Sequence, residues 1–346
     1  MRDFAYAVAE GPADAVAALA APGTVMIAGG TELLNWLRLG IADPERVVDV
    51  GRIRGLDEIK REGDQLSIGA LATLAEIGEH PLIREHAAVL GQACLKSASV
   101  QIRNRATIGG NVLQKTRCAY FRSEAPLAWG CNKRDPGSGC AAISGANERH
   151  AILGWTDVCV ATHPADPAVA LAALDAVAEV VGPSGRRSLA IADFHLTQQE
   201  ARAEVATGRL RLASPAHEAQ IETRLAPDEM IVAWHIPIRA GERSAYVKVR
   251  ERESYEYALV SAAAALSMDG GRISRARVAL GSVAQKPWRL PGAEAALVGK
   301  RPTRDDVLPQ ISAALAEARP LSHNGYKVTL AANAAVRAVV VAGDSV

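Results

Sequence analysis

Four cysteines, Cys118, Cys131, Cys140 and Cys159, are spaced C-x12-C-x8-C-x18-C in one loop-rich part of the chain. No cysteine precedes Cys94 or follows Cys159. Thiolates at one place are the ligand set of an iron–sulfur cluster or a structural zinc ion. The spacing has none of the C-x2-C pairs of zinc ribbons and ferredoxins, so it does not choose between them. The intervening NKRDPGSG adds Pro136, Gly137 and Gly139, which let a loop wrap closely around an inorganic centre. Its backbone amides could donate to cluster sulfides, and Lys133 and Arg134 could offset negative charge. On residues alone three readings stand: a cubane cluster, a zinc site, or four unrelated thiols. Cys94 falls among apolar helical positions and reads as a core thiol.

Two Gly-Gly turns precede this region. The first, Gly29-Gly30-Thr31, joins the apolar run Val25–Ala28 to an amphipathic helix beginning near Glu32. The second is Thr107-Ile108-Gly109-Gly110-Asn111. Glycine lets backbone N–H groups approach a diphosphate, and two such turns suit two approaches to one phosphate-bearing ligand. Neither turn matches G-x-G-x-x-G, which argues against a Rossmann fold. A third stretch, THPADPAVA, places Asp166 and Pro167 at the start of an Ala-rich helix, where Asp166 alone reads as an N-cap.

The elements around these motifs alternate in type. Strand–helix patterns cover residues 3–40, VVDV and LSIGA read as short strands, and Thr73 with Glu76 forms a capping box. AAVLGQACLKSASVQIRNRA predicts one helix, Trp155–Ala161 a buried strand, and AVAEVVGPSGRRSLAIADF a hairpin. Residues 197–218 are charged and helical in composition, suggesting a surface excursion. From Asp228 the pattern turns to half-exposed antiparallel strands and then to helices, with a boundary near Pro237–Gly241.

Length and composition exclude several classes. A chain of 346 residues with 49% hydrophobic and 22% charged residues suits two or three globular domains. A net charge of +1 gives no basic field for nucleic acid or an anionic membrane. No stretch approaches the ~18 uncharged apolar residues of a membrane span. The N-terminus lacks the pattern of a signal peptide, so the expectation is a soluble chain without its own export signal.

Together, IAGGTELL, ATIGGNVLQ, ATHPADPAVALAALDA, YVKVRERESYEYALVSAA and VAQKPWR resemble the FAD-binding medium subunits of the xanthine dehydrogenase family of molybdenum hydroxylases. The resemblance spans nearly the whole chain. RTRC-x-YF, CNKR-x-PGSGCAA and ATHP further resemble a branch of periplasmic aldehyde oxidoreductases whose FAD subunit carries an extra [4Fe–4S] cluster. The resemblance implies an α+β fold. Residues 1–239 would form an FAD-binding domain of the vanillyl-alcohol oxidase (PCMH) type, with subdomains at about 1–56 and 57–239. Residues 240–346 would form a CO dehydrogenase flavoprotein-like domain with a small antiparallel sheet and helices.

For site residues the resemblance implies that Val25, Met26, Ile27, Ala28, Gly29, Gly30, Thr31, Glu32 and Leu33 make the first FAD loop. Thr107, Gly110 and Asn111 would make the second, and Pro164, Ala165, Asp166, Pro167 and Ala168 would lie near the ribityl or flavin region. Lys248 and Leu259 would come from the C-terminal domain, and Cys118, Cys131, Cys140 and Cys159 would ligate the cluster. The implied function is electron transfer within a heterotrimer. A large subunit would hold the molybdenum cofactor and oxidise an aldehyde, a small subunit would hold [2Fe–2S] centres, and electrons would leave from FAD to an external acceptor. No residue of this chain is expected to be catalytic, including His150, His163 and His195. Export to the periplasm with a partner bearing a twin-arginine signal is the expected location, with the cytoplasm as the alternative. A stand-alone FAD oxidase would need an acid–base pair that the sequence does not offer, and a zinc-binding module would leave both Gly-Gly turns unexplained.

Overall fold

The computed structural model describes residues 3–208 and 215–344. Three sheets succeed one another. The first is parallel, with β1 (Ala5–Val8), β2 (Thr24–Ile27) and β3 (Arg46–Asp49) in the order β1-β3-β2. Helix Pro12–Leu19 links its first two strands, with Pro12 in the first turn where a missing N–H costs nothing.

The second sheet is antiparallel. Its strands β4 (Ile59–Glu62), β5 (Gln65–Gly69), β6 (Val177–Gly182), β7 (Gly185–Ala190) and β8 (Met230–Pro237) run in the order β4-β5-β8-β6-β7. The expected hairpin is β6–β7. Against this sheet packs a helical layer that includes Leu74–Glu79, Ala88–Lys96 and Asp166–Ala173. Thr73 and Glu76 make the expected capping box.

The third sheet, β12-β11-β10-β9, comprises β9 (Arg243–Val249), β10 (Val260–Asp269), β11 (Arg272–Gly281) and β12 (Trp288–Arg289). Gly270 and Gly271 turn between β10 and β11, both with positive φ (54° and 74°), as a tight hairpin matched to strand twist requires. Strand β10 is not half-exposed as the alternation of its neighbours suggested: Val260–Leu266 is buried throughout. Its alternate side chains serve two cores. Ala263 and Ala265 pack with the helical layer of the second unit, while Ala262, Ala264 and Leu266 pack against the C-terminal helices. Alanine suits a strand covered on both faces by closely approaching helices.

Two element expectations are corrected. The single helix expected across residues 87–106 breaks into Ala88–Lys96 and Val100–Arg103. Ala98 takes φ 46°, and Ser99 caps the second helix by accepting from Ile102 N. Trp155–Ala161 is not a strand. Thr156 Oγ1 accepts from Val158 N, and the Cys159 amide donates to the Thr156 carbonyl, closing a tight turn that ends on Cys159. The charged segment begins as helix Gln198–Ala206, whose Gln198, Ala201 and Glu204 are buried, so it packs on the body. Residues 209–214 of that segment lie outside the described residues.

Candidate cofactor sites

A cavity of about 710 Å³ runs past both Gly-Gly turns, within the ~300–1,000 Å³ usual for cofactor pockets. Strand β2 delivers Val25, Met26 and Ile27 to its wall, and Ala28, Gly29, Gly30, Thr31, Glu32 and Leu33 follow. Gly30 has φ 75°, a left-handed conformation. Gly29 is glycine for a different reason. A Cβ there would lie 1.7 Å from the Arg105 carbonyl oxygen, so the chain leading into the second turn rests directly on the first.

The two turns differ in what they present. Among the described residues no group accepts from the amides of Gly29, Gly30, Thr31 or Glu32. They form a cluster of free donors suited to phosphate oxygens. In the second turn Thr107 Oγ1 accepts from Gly110 N at 3.3 Å, and the Thr107 carbonyl accepts from Asn111 N at 2.8 Å. Its amides are therefore satisfied internally. The second turn offers side chains instead, and buried Asn111 Oδ1 has no hydrogen-bond partner. Thr24 Oγ1, also on the cavity wall, is orphaned in the same way. Free amides at one turn and unpaired side-chain oxygens nearby fit a nucleotide diphosphate cofactor such as FAD.

Pro164 and Asp166 also line the cavity, as do Ser97, Ala98, Arg117, Tyr255 and Tyr257. Asp166 opens helix Asp166–Ala173, yet its side chain caps nothing. Its buried carboxylate accepts from Ser97 Oγ (3.1 Å), Tyr246 Oη (2.5 Å) and Lys248 Nζ (2.7 Å). Lys248 also donates to the Lys96 carbonyl. Five expected contacts do not line the cavity: Ala165, Pro167, Ala168, Lys248 and Leu259. Ala165 and Ala168 are in the apolar core, and Pro167 is buried in the first helical turn. Lys248 is held by Asp166, and Leu259 pairs its amide with Val249 at the mouth of β9–β10.

Sequence reasoning missed much of the wall. Leu225, Pro227, Glu229 and Met230 arrive on the approach to β8, with no local signal to mark them. Arg117, Tyr255 and Tyr257 were detectable as a cation beside the first cysteine and two aromatics in a charged loop. The Arg117 guanidinium lies 4.4 Å from the Tyr257 ring centre and pairs with Glu32 at 3.0 Å. Glu32 also accepts from Trp36 Nε1 and from Arg122, joining the first turn to the cysteine region.

Cys118, Cys131, Cys140 and Cys159 border one small cavity together with Tyr120, Phe121, Lys133 and His150. All are free thiols. Cys131 and Cys140 pair across an antiparallel bridge, and Cys159 arrives on the Thr156 turn. The amides of Gly137 and Gly139, expected to face a cluster, donate instead to Asn132 Oδ1, which sets the loop's shape from within. Lys133 is buried and pairs with Glu222 at 2.7 Å. Arg134 donates to the carbonyls of Leu39, Gly40, Phe121 and Ser123, a clamp on the loop rather than a counter-charge. Burial pushes the Cys118 thiol up to about 12, whereas the Cys159 thiol donates toward Cys140 and holds it down to about 7. Among the described residues no group of three or more His, Cys, Asp or Glu side chains is placed to hold a metal ion. The four thiols border one common space, as a shared ligand set would.

His163 and His195 stack with ring centres 4.2 Å apart, and His195 Nε2 bonds to the Val112 carbonyl. Burial keeps both rings neutral, His195 with a value lowered to about 4. They line a second cavity of about 380 Å³. It shares Trp36 and Leu113 with the large cavity, and Thr116 and Lys133 with the thiol pocket.

Comparison with known proteins finds an FAD-binding family over most of the chain. The family described as "FAD binding domain in molybdopterin dehydrogenase" matches residues 2–239. "CO dehydrogenase flavoprotein C-terminal domain" matches residues 245–342. The chain is 42% identical to the aldehyde oxidoreductase FAD-binding subunit PaoB of Escherichia coli (strain K12), over 96% of this chain and 95% of that one. It is 26% identical to the carbon monoxide dehydrogenase medium chain of Hydrogenophaga pseudoflava, over 97% and 96% of the two chains. The solved structure of carbon monoxide dehydrogenase from Hydrogenophaga pseudoflava lacking the Mo-pyranopterin moiety superposes with a TM-score of 0.72 at 26% identity, covering 99% of this chain and 97% of that one.

Proposed function

The chain belongs to the FAD-binding medium-subunit family of the molybdenum hydroxylases, which makes it an oxidoreductase subunit, and on that premise we propose a specific role. It is the FAD- and [4Fe–4S]-binding electron-transfer subunit of a heterotrimeric aldehyde oxidoreductase. The partners are a large subunit holding the molybdenum cofactor and a small subunit holding [2Fe–2S] centres. The observation that carries this reading is the cavity with four free turn amides beside a pocket of four free thiols.

Bound in the cavity, FAD would supply the redox chemistry between the partners' centres and an external acceptor. The chain's residues bind and hold. Gly29, Gly30, Thr31 and Glu32 would offer amides to the diphosphate, the Thr24 hydroxyl could donate beside them, and Asn111 Oδ1 would accept from an N–H or O–H of the cofactor. Arg117 and Tyr257 stack beside Glu32, and Asp166 fixes the neighbouring backbone through Ser97. Cys118, Cys131, Cys140 and Cys159 would ligate the cluster. Asp166 and Lys248 are paired with each other. Co-export of the loaded, folded assembly to the periplasm, on a partner's twin-arginine signal, belongs to the same proposal.

The test is composition. The complex, purified anaerobically with its partners, should contain one FAD and about four irons beyond those of the [2Fe–2S] centres. FAD without the extra iron would remove the cluster, and an intact complex without flavin would refute the whole assignment.

A further inference from the structure

His150 touches one of the four thiols, and its surroundings assign it a task that rests on the cluster reading above. Its Nε2 lies 3.1 Å from Cys118 Sγ, while its Nδ1 has no hydrogen-bond partner. A thiolate bound to iron has no proton to give, so this contact then requires the proton on Nε2. The unpaired Nδ1 is left as a lone pair rather than as an orphaned N–H.

The backbone carrying this ring is fixed from the C-terminal unit. Lys327 is fully buried, and its Nζ donates to the carbonyls of His150 (2.9 Å) and Ser282 (2.5 Å). Among the described residues it pairs with no carboxylate. Asn324 Nδ2 donates to the carbonyls of His150 and Ala151, each at 3.1 Å. Asn147 closes the segment by holding Ser322 and His323. Three polar side chains thus hold a short loop whose one contact with the thiol pocket is an imidazole.

We propose that His150 is a positioning residue that donates its Nε2–H to Cys118 Sγ and raises the reduction potential of the [4Fe–4S] group held by the four cysteines. A hydrogen bond to a ligand sulfur stabilises the added negative charge of the reduced state, and so favours reduction. Lys327 and Asn324 keep the donor aimed.

The test uses the whole complex with its partners. Iron and acid-labile sulfide are counted in the wild-type protein first. His150→Leu removes the donor, and His150→Gln keeps a neutral N–H of similar reach. Potentiometric titration of the cluster's electron paramagnetic resonance signal should show the reduced-to-oxidised ratio of His150→Leu falling about tenfold at fixed potential, ~59 mV for a one-electron couple. His150→Gln should recover most of that shift. An unchanged titration for a cluster-loaded His150→Leu protein would overturn the proposal, as would equal shifts in both variants. Should His150→Leu shed its iron, the wild-type complex labelled with ¹⁵N-histidine decides the matter. Pulsed resonance should then show a histidine nitrogen coupled to the reduced cluster, and its absence would overturn the proposal. A wild-type complex with no extra iron ends the cluster reading itself, before any variant is made.

Discussion

Removing the Asp166 carboxylate should destabilise the protein even when no cofactor is bound. Asp166 and Lys248 are 5% and 1% exposed at the side chain and 2.7 Å apart. Asp166→Ala leaves a buried ammonium whose remaining acceptor is the Lys96 carbonyl, and it strands Tyr246 Oη as a buried donor. Breaking a buried pair from one side costs about 3–5 kcal/mol, which for a chain of this size lowers Tm by of the order of 10 °C. The assay is thermal unfolding of flavin-free protein followed by circular dichroism, so that lost cofactor binding does not contribute. Asp166→Asn keeps the shape and isolates the charge. Asp166→Ala combined with Lys248→Met should recover part of the loss, because the stranded charge is gone. If flavin-free Asp166→Ala melts within about 2 °C of wild type while its flavin affinity collapses, Asp166 serves the cofactor directly, and the internal tie described here is wrong.

Three further outcomes are expected. Gly29→Ala drives a methyl into the Arg105 carbonyl and should empty the protein of flavin, whereas Gly110→Ala meets only Thr107 Oγ1 at 3.1 Å and should retain most of it, as read by the flavin-to-protein absorbance ratio. His195 is held at about 4 against its ordinary 6.5, so the unfolded chain binds the extra proton between those values and wild-type stability should fall as pH drops from 6.5 toward 4. His195→Leu should flatten that part of a plot of urea midpoint against pH; an unaltered slope would count against the buried neutral ring. Cys131→Ser should lose the extra iron and weaken assembly of the complex, seen by iron analysis and gel filtration. A variant that assembled normally yet lost turnover in step with its iron would place the cluster on the electron path.

What was legible in the chain followed from local rules. The β2–Gly29–helix unit, the Thr73 capping box and the β6–β7 hairpin are each decided within a few residues, and each forms as expected. The clustering of thiols was visible as composition. The rest depended on partners distant in sequence. Asp166 looked like a cap because nothing near it announces Tyr246 and Lys248, some eighty residues on. The second demand on Gly29 was hidden, because the Arg105 carbonyl that also needs the space is remote in the chain. The Trp155–Ala161 run is apolar enough for a strand, but Thr156 competes for the backbone and turns it. Leu225 to Met230 carry no mark at all, since their contribution to the cavity comes only from where β8 enters its sheet.

The alanine face of β10 also matters while the protein is being made. Ala263, Ala265 and Tyr246 complete the core formed by the helices of residues 74–173, yet they are synthesised long after those helices. At ~5–20 residues per second, the ribosome needs several seconds to pass from Asp166 to the end of β10 and its hairpin partner. During that interval the helical layer has an apolar surface with no cover of its own. The seam between the two family domains at residues 239–245 is thus a junction in the gene rather than a place where folding can pause. A chain halted or cleaved there should be taken up by chaperones or proteases instead of accumulating as a free flavin-binding half.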